Sequence, residues 1–353
     1  MPFTVPVVDI TPYVAAGDDA ARAEVAAAID VACREVGFIQ ILGHGIPAHV
    51  TDGLADALDE FFGLAPEVKR GYRTPAGINR GYAPPKTESL SLSLGVESAN
   101  RMNDFFEAFN VGLAASDFPG VDVDPVHYAE NTWPDPDAPG FRPQVEAYFA
   151  EAGRVARTMT RIFADALGVD HEVFATRTDH SLDVLRMNNY ALPAGTDVRL
   201  DGDLTGMGEH TDYGIVTVLW ADRVRGLQVL GADGGWHDVS PDPGALLINL
   251  GDLTARWTNE RWMSTLHRVK PPVIDGTIER RRSAAYFHDG NADALIAAIP
   301  TTVPAGEEPL YPPITVGDHI AAKLAGSREG RRNTAGRETA RVLAARDAGG
   351  EPY

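Results

Sequence analysis

Between Val184 and Phe287 the chain carries seven short runs rich in β-branched and aromatic residues: Val184–Tyr190, Ile215–Trp220, Gly226–Leu230, Trp236–Val239, Ala245–Leu250, Trp262–Lys270 and Ser283–Phe287. Turn-forming Gly, Pro, Asn and Asp punctuate them. Strands this short cannot bury a face alone, so runs at this spacing must pair into a double sheet or a barrel. The expected class is therefore mainly β with α.

The first half has a different period. Val5–Ile10 reads as a short buried strand, and residues 19 to 36 place apolar side chains at helical spacing with Gly37 as the C-cap. Cys33, the single cysteine, falls on that stripe and reads as core filler rather than a reactive thiol. Phe38–Leu42 alternates toward a second strand, Gly43-His44-Gly45 reads as a tight structural turn, and residues 48 to 63 suggest another helix. From Thr74 to Pro139 the chain is rich in Pro, Gly, Asn and Asp and is a poor candidate for core, with one possible strand at Phe105–Val111. The clearest helix is Pro143–Leu167, where Val145, Tyr148, Phe149, Ala152, Val155, Met159, Ile162 and Phe163 form one stripe and Gly168 closes it. Helical signals return at Gly317–Leu324 and Thr334–Arg346, before a polar tail, Asp347–Tyr353.

Charge narrows the partners. Among 353 residues, 50 are acidic and 31 basic, a formal net charge of −19 that gives no general attraction for nucleic acid or an anionic membrane. No run reaches roughly 18 apolar residues and the N-terminus has no basic leader pattern, so a cytoplasmic protein is expected. Oligomeric state is left open.

The chemistry starts at His210 and Asp212, two positions apart in Gly208-Glu-His-Thr-Asp-Tyr-Gly214. On a strand they face the same way, although a lone His-x-Asp is more often a turn. His267 lies 57 residues further on, in a run of strand type where Met263, Thr265, His267 and Val269 share a face. It is expected on another strand across a sheet sandwich. Two imidazoles and a carboxylate make the 2-His-1-carboxylate arrangement, which leaves positions open on a non-haem Fe(II). Arg281 and Ser283 repeat the i, i+2 geometry, and a guanidinium fork with a hydroxyl can grip a carboxylate in two-pronged fashion. Arg186, Asn188 and Tyr190 alternate along Val184–Tyr190 in the same way.

Other candidates read more plainly. His288 and Asp289 look like a turn beyond the last strand, and His127, His171, His180, His237 and His319 like solvated surface. Phe105, Phe106, Trp257 and Trp262 are either core or pocket lining. Zinc hydrolysis would also suit two histidines and a carboxylate, but there is no His-Glu-x-x-His helix.

Along nearly its whole length the chain resembles the isopenicillin-N-synthase-like Fe(II)/2-oxoglutarate-dependent oxygenases. The matching stretches include Val5-Pro-Val-Val-Asp-Ile10, Gly37-Phe-Ile-Gln-Ile-Leu-Gly-His-Gly-Ile46, Asn79-Arg-Gly-Tyr82, Arg186-Met-Asn-Asn-Tyr190, His210-Thr-Asp-Tyr-Gly214, Gly226-Leu-Gln-Val229, Asn249-Leu-Gly-Asp252, Ser264-Thr-Leu-His-Arg-Val269 and Arg281-Arg-Ser283, in the family's order. The resemblance implies a double-stranded β-helix, a cupin-like jelly roll, flanked by N-terminal helices. It implies a single oxygenase domain over 1–353, with 1–170 packing on a catalytic core of 180–290 and C-terminal helices and tail at 291–353. It implies that His210, Asp212 and His267 ligate Fe(II), that Arg281 and Ser283 bind the distal carboxylate of 2-oxoglutarate, and that Asn188 and Tyr190 add contacts to this cosubstrate. With O2 such a site oxidises a C–H bond of a small molecule, by hydroxylation first and desaturation or cyclisation otherwise, and releases succinate and CO2. The presence of Asp212 argues against halogenation. Two alternatives stay open here: an oxidase of the same fold that uses iron and O2 without 2-oxoglutarate, and a non-catalytic ligand-binding jelly roll. The substrate pocket is expected from Thr74–Asp104, strand faces near Val216–Trp220 and the C-terminal tail.

Overall fold

The computed structural model describes residues 3–15, 17–75, 77–85, 87, 106–191, 206–270, 273–274 and 277–329. Phe105, residues 88–104, Thr334–Arg346 and the tail Asp347–Tyr353 lie outside the described residues. The helices are α1 (Thr11–Val14), α2 (Asp19–Glu35), α3 (Ala48–Phe62), α4 (Pro66–Arg70), α5 (Phe141–Leu167), α6 (Glu172–Ala175), α7 (Asp252–Trp257) and α8 (Val316–Glu329). The strands are β1 (Val7–Asp9), β2 (Phe38–Leu42), β3 (Gly81–Ala83), β4 (Glu107–Gly112), β5 (Val184–Tyr190), β6 (Met207–His210), β7 (Val216–Ala221), β8 (Leu227–Leu230), β9 (Trp236–Asp238), β10 (Leu246–Leu250), β11 (His267–Val269), β12 (Val273–Ile274), β13 (Thr277–Ile278), β14 (Arg281–His288), β15 (Leu295–Ile296) and β16 (Ile314–Thr315).

Two sheets form the core. The larger has eight strands in the order β1-β2-β10-β7-β14-β5-β4-β3, and the smaller has four in the order β6-β11-β8-β9. Neighbours in both sheets are antiparallel except β1 and β2. Helices cover the outer side of the larger sheet: α5 packs on β7 and β14, and α2 and α3 pack on α5. This is the expected jelly-roll architecture with N-terminal helices. Among the described residues no helix is long and apolar enough to cross a membrane.

Local chemistry explains the boundaries. The Asp18 carboxylate accepts a hydrogen bond from the amide of Ala21 at 2.8 Å and so caps α2. Helix α5 buries Val145, Tyr148, Ala152, Val155, Met159, Ile162 and Phe163, the stripe legible in the sequence. It ends at Gly168, whose φ of 66° lies in the left-handed region where only glycine is free of a Cβ penalty. Cys33 is buried on the inner face of α2, as expected of core filler.

Two expectations need correction. Of Trp262–Lys270, only His267–Val269 is strand. The preceding residues bond instead to the end of α2, since the amide of Met263 donates to the Cys33 carbonyl at 3.0 Å and the Thr265 hydroxyl donates to that of Val36 at 2.7 Å. The anticipated alternation therefore fails, with Trp262 buried and Met263 39% exposed. The region Thr74–Pro139 also contributes to the core: every residue of β4 is buried between β3 and β5, and Tyr82, Tyr128 and Ala138 are buried with it. Its buried Glu107 is interior because polar neighbours satisfy it. Glu107 accepts from Lys69 Nζ at 2.8 Å, Tyr82 Oη at 2.6 Å and Asn189 Nδ2 at 2.8 Å.

Candidate active site

One cavity is lined by residues from both sheets and by Ile320 and Leu324 of α8. On the smaller sheet, His210 closes β6 and His267 opens β11, and the antiparallel register pairs them directly. Their ring centroids are 4.2 Å apart. The two histidines are thus neighbours in one sheet, not partners across a sandwich as the sequence suggested. A gap of 57 residues proves compatible with adjacency because β8 and β9 complete the same sheet on the other side of β11.

Asp212 reaches the same point from the loop after β6. Its Oδ1 lies 3.9 Å from His210 Nε2 and 3.6 Å from His267 Nε2, and the three donor atoms all lie within 4.8 Å of one another. The outer atoms are already engaged. His210 Nδ1 is 2.8 Å from the Gly208 carbonyl and His267 Nδ1 is 3.1 Å from that of Thr265. A carbonyl only accepts, so each Nδ1 carries the proton and each Nε2 offers a lone pair inward. Asp212 Oδ2 accepts from Thr217 Oγ1 at 2.5 Å and Asn249 Nδ2 at 2.6 Å, which leaves Oδ1 facing the histidines. Burial, and then the neighbouring His267, push the His210 pKa down to about 3, so this imidazole is neutral across the physiological range. Two imidazoles and one carboxylate on one side of a cavity suit a divalent metal with its other positions open.

The loop carrying Asp212 is held from behind. The amide of Asp252 donates to the Asp212 carbonyl at 2.8 Å, and the Asp252 carboxylate accepts from Thr211 Oγ1 at 3.0 Å. Lys323 of α8 pairs with the same carboxylate at 2.7 Å, both side chains 1% exposed.

On the larger sheet, β14 and β5 run antiparallel with Arg281 opposite Tyr190 and Ser283 opposite Asn188. All four line the cavity. Arg281 is 2% exposed, and its Nε and Nη1 have no hydrogen-bond partner among the described residues. The guanidinium sits 5.2 Å from the Tyr190 ring centroid. A buried charge with open donors costs about 1–3 kcal/mol per unmade bond, and a ligand carboxylate entering the cavity would remove that cost. Asn188 Nδ2 is 3.5 Å from Ser283 Oγ, and Arg186 Nε donates to Asn188 Oδ1 at 3.2 Å. The donor set on one wall and the open guanidinium on the other fit a metal and a dicarboxylate together.

Several residues were misjudged or missed. His288 and Asp289 are not a turn: β14 runs through His288, which is fully buried behind the sheet with Nδ1 2.8 Å from Asp183 Oδ1, and Asp289 lines the cavity. His319 is 3% exposed, not surface. Trp257 and Trp262 belong to the core, and Phe106 is buried with the Arg186 guanidinium 5.1 Å from its ring. His44 does hold a turn, with Nδ1 accepting from the amide of Ile46 at 3.1 Å and Nε2 3.0 Å from the Gly244 carbonyl. Within Val216–Trp220, Thr217 and Leu219 face the cavity as expected. Asn249 and Thr217 were missed as supports of Asp212; the only signal was the position of Asn249 in Asn249-Leu-Gly-Asp252.

Comparison with known proteins agrees with this geometry. Residues 5–136 match the N-terminal model named for a non-haem dioxygenase in morphine synthesis, and residues 182–290 match the 2OG-Fe(II) oxygenase superfamily. The 2-oxoglutarate-Fe(II) type oxidoreductase hxnY of Emericella nidulans is 34% identical over 325 residues, 90% of this chain and 89% of that one. The chain belongs to the Fe(II)/2-oxoglutarate-dependent oxygenases. Validamycin A dioxygenase of Streptomyces hygroscopicus subsp. limoneus is 32% identical, over 92% of this chain and 86% of its own. Among solved structures, a full-length Neurospora crassa protein in complex with alpha-KG and thymine superposes with a TM-score of 0.78 at 29% identity, covering 91% of this chain and 96% of that one. Fe(II) and 2-oxoglutarate are the cofactor and cosubstrate of this family.

Proposed function

We propose that this oxygenase hydroxylates a C–H bond of a small molecule, with His210, Asp212 and His267 as the iron ligands and Arg281 and Ser283 as the anchor for the distal carboxylate of 2-oxoglutarate. The observation that carries the reading is the union, in one buried cavity, of three converging donor atoms and a guanidinium with two open N–H groups. Bound iron supplies O2 activation coupled to decarboxylation of the keto acid. The protein's own residues do the rest. The Nδ1 bonds to Gly208 and Thr265 fix the imidazole tautomers, Thr217 and Asn249 fix the Asp212 carboxylate, and Tyr190 and Asn188 form the wall beside the anchor. Retention of Asp212 as a ligand is incompatible with a halide taking its place.

The chain is proposed to act as one catalytic domain, with residues 180–290 as the core, 1–170 packed on it, and the C-terminal part, 291–353, closing the cavity through α8. A cytoplasmic setting, which would keep ferrous iron and the Cys33 thiol reduced, belongs to the same proposal. Anaerobic addition of 2-oxoglutarate to the Fe(II) protein should produce a metal-to-ligand charge-transfer band that Arg281→Met weakens. No band at millimolar keto acid, with O2 still consumed, would replace this reading by that of a cosubstrate-independent oxidase.

A further inference from the structure

The cavity contains a carboxyl for which neither iron nor 2-oxoglutarate has a use. Asp289 directly follows β14 and shares the cavity face with Arg281, Ser283 and Phe287, in keeping with the two-residue period of an extended chain. It is 8% exposed, and no hydrogen bond to its side chain exists among the described residues. Space has been cleared for it: a Cβ on Gly214, two residues after Asp212, would lie 1.8 Å from its Oδ1. The carboxyl therefore sits at the metal end of the cavity, where substrate must come.

Such a group is costly to leave alone. Burial first, and then the charges of Asp183 and Asp212, raise its pKa well above the carboxylate range. Among the described residues nothing in the wall compensates. Arg186 is turned to Asn188 and Phe106, and the open donors of Arg281 are the anchor for the cosubstrate. What would compensate is a ligand that brings N–H donors and positive charge. The rest of the nearby lining, Phe287, Tyr213, Ile320 and Leu324, is suited to a carbon skeleton. The net charge of −19 also favours the approach of cations.

We propose that Asp289 is the subsite for a protonated nitrogen of the substrate, an ammonium or guanidinium, so that small basic molecules with an apolar skeleton are the substrate class. This rests on the oxygenase reading above. The test is calorimetric titration of the protein loaded with Mn(II) and 2-oxoglutarate, which turns nothing over, with putrescine and benzylamine and with their neutral counterparts 1,4-butanediol and benzyl alcohol. At least one amine should bind tenfold or more tighter than its alcohol. Asp289→Asn should weaken that amine by tenfold or more, while leaving the alcohols and the binding of Mn(II) and 2-oxoglutarate unchanged. Should Asp289→Asn not fold, Asp289→Ser, which replaces the carboxyl by a smaller uncharged hydroxyl, takes its place. Alcohols binding as well as amines, no amine binding at millimolar concentration, or an unchanged amine affinity in the variant would overturn the proposal. Failure of the wild type to bind Mn(II) and 2-oxoglutarate would instead remove the oxygenase reading, and the amine titration would then be read on the metal-free protein with the same criteria.

Discussion

Strand β14 separates two polar regions that handle burial in opposite ways. Behind it, Asp183 accepts hydrogen bonds from Tyr286 at 2.7 Å, from His288 Nδ1 at 2.8 Å and from Ser181, and Ser181 Oγ accepts from the amide of Gly290. In front, alternate residues of the same segment present Arg281 with open N–H groups and Asp289 with no donor among the described residues. The Asp183 carboxylate is met from within the rear cluster, where His288 Nε2 alone lacks a partner among the described residues, and the front pair stays open. Burial alone would raise the Asp183 pKa, but His288, Ser181 and Tyr286 bring it below the usual value, whereas that of Asp289 rises unopposed. Two buried carboxyls, one behind the sheet and one before it, thus differ in whether their valence is met inside the protein or kept for a ligand.

The contrast can be broken most decisively at the metal. Asp212→Ala or His267→Ala should each lower 2-oxoglutarate turnover by on the order of 10³-fold or more, because several kcal/mol of metal-dependent stabilisation goes with the ligand. Bound iron measured by elemental analysis should fall in parallel; full iron occupancy with normal succinate release would refute the assignment. Next comes the anchor. Arg281→Met should raise the KM for 2-oxoglutarate roughly 100-fold, two charge-assisted hydrogen bonds at about 1.5 kcal/mol each, with the unfolding midpoint in urea unchanged or higher. A rise in KM without loss of stability is the signature of a group kept open.

The rear cluster should show the reverse pattern. Asp183→Asn should cost about 2–3 kcal/mol in urea unfolding, since Asn cannot accept all three donors and leaves buried groups unpaired. Turnover per folded molecule should persist. The folded pKa of Asp183 is depressed, so its contribution is present above the unfolded value near 3.8 and is lost as pH falls through the folded one. Acid unfolding should therefore be steeper in the wild type than in the variant. The smallest effect is expected at the front. Asp289→Asn should stabilise the metal-free protein at neutral pH, because the raised pKa of the aspartate means that its contribution is lost as pH rises. A lower melting temperature for that variant would show that Asp289 is held by the fold after all.

The front face was largely legible and the rear was not, for a physical reason. Sites on one strand obey a period of two, so His210 with Asp212, Arg281 with Ser283, and Asn188 with Tyr190 can be read as pairs from spacing alone. Register between strands follows from the whole sheet and is invisible locally. Neither the direct pairing of His267 with His210 nor that of Ser283 with Asn188 could be read off, and a sandwich was expected in place of the first. The rear cluster joins Asp183 to His288 across 105 positions, and a histidine just past an apolar run looks like a turn until its partner is known. Trp262–Leu266 misled in the other direction, because extended backbone satisfied by the end of α2 has strand composition without a strand partner.

The ion pair between Lys323 and Asp252 bears on how the enzyme is made. Helix α8 supplies Ile320 and Leu324 to the cavity and braces the loop that carries Asp212. During synthesis every proposed iron ligand leaves the ribosome more than 50 residues before Lys323 does, at about 5–20 residues per second. For those seconds the nascent chain has its donors but lacks both the wall and the brace. A chain truncated just before α8 is therefore expected to keep its donors but to hold metal poorly.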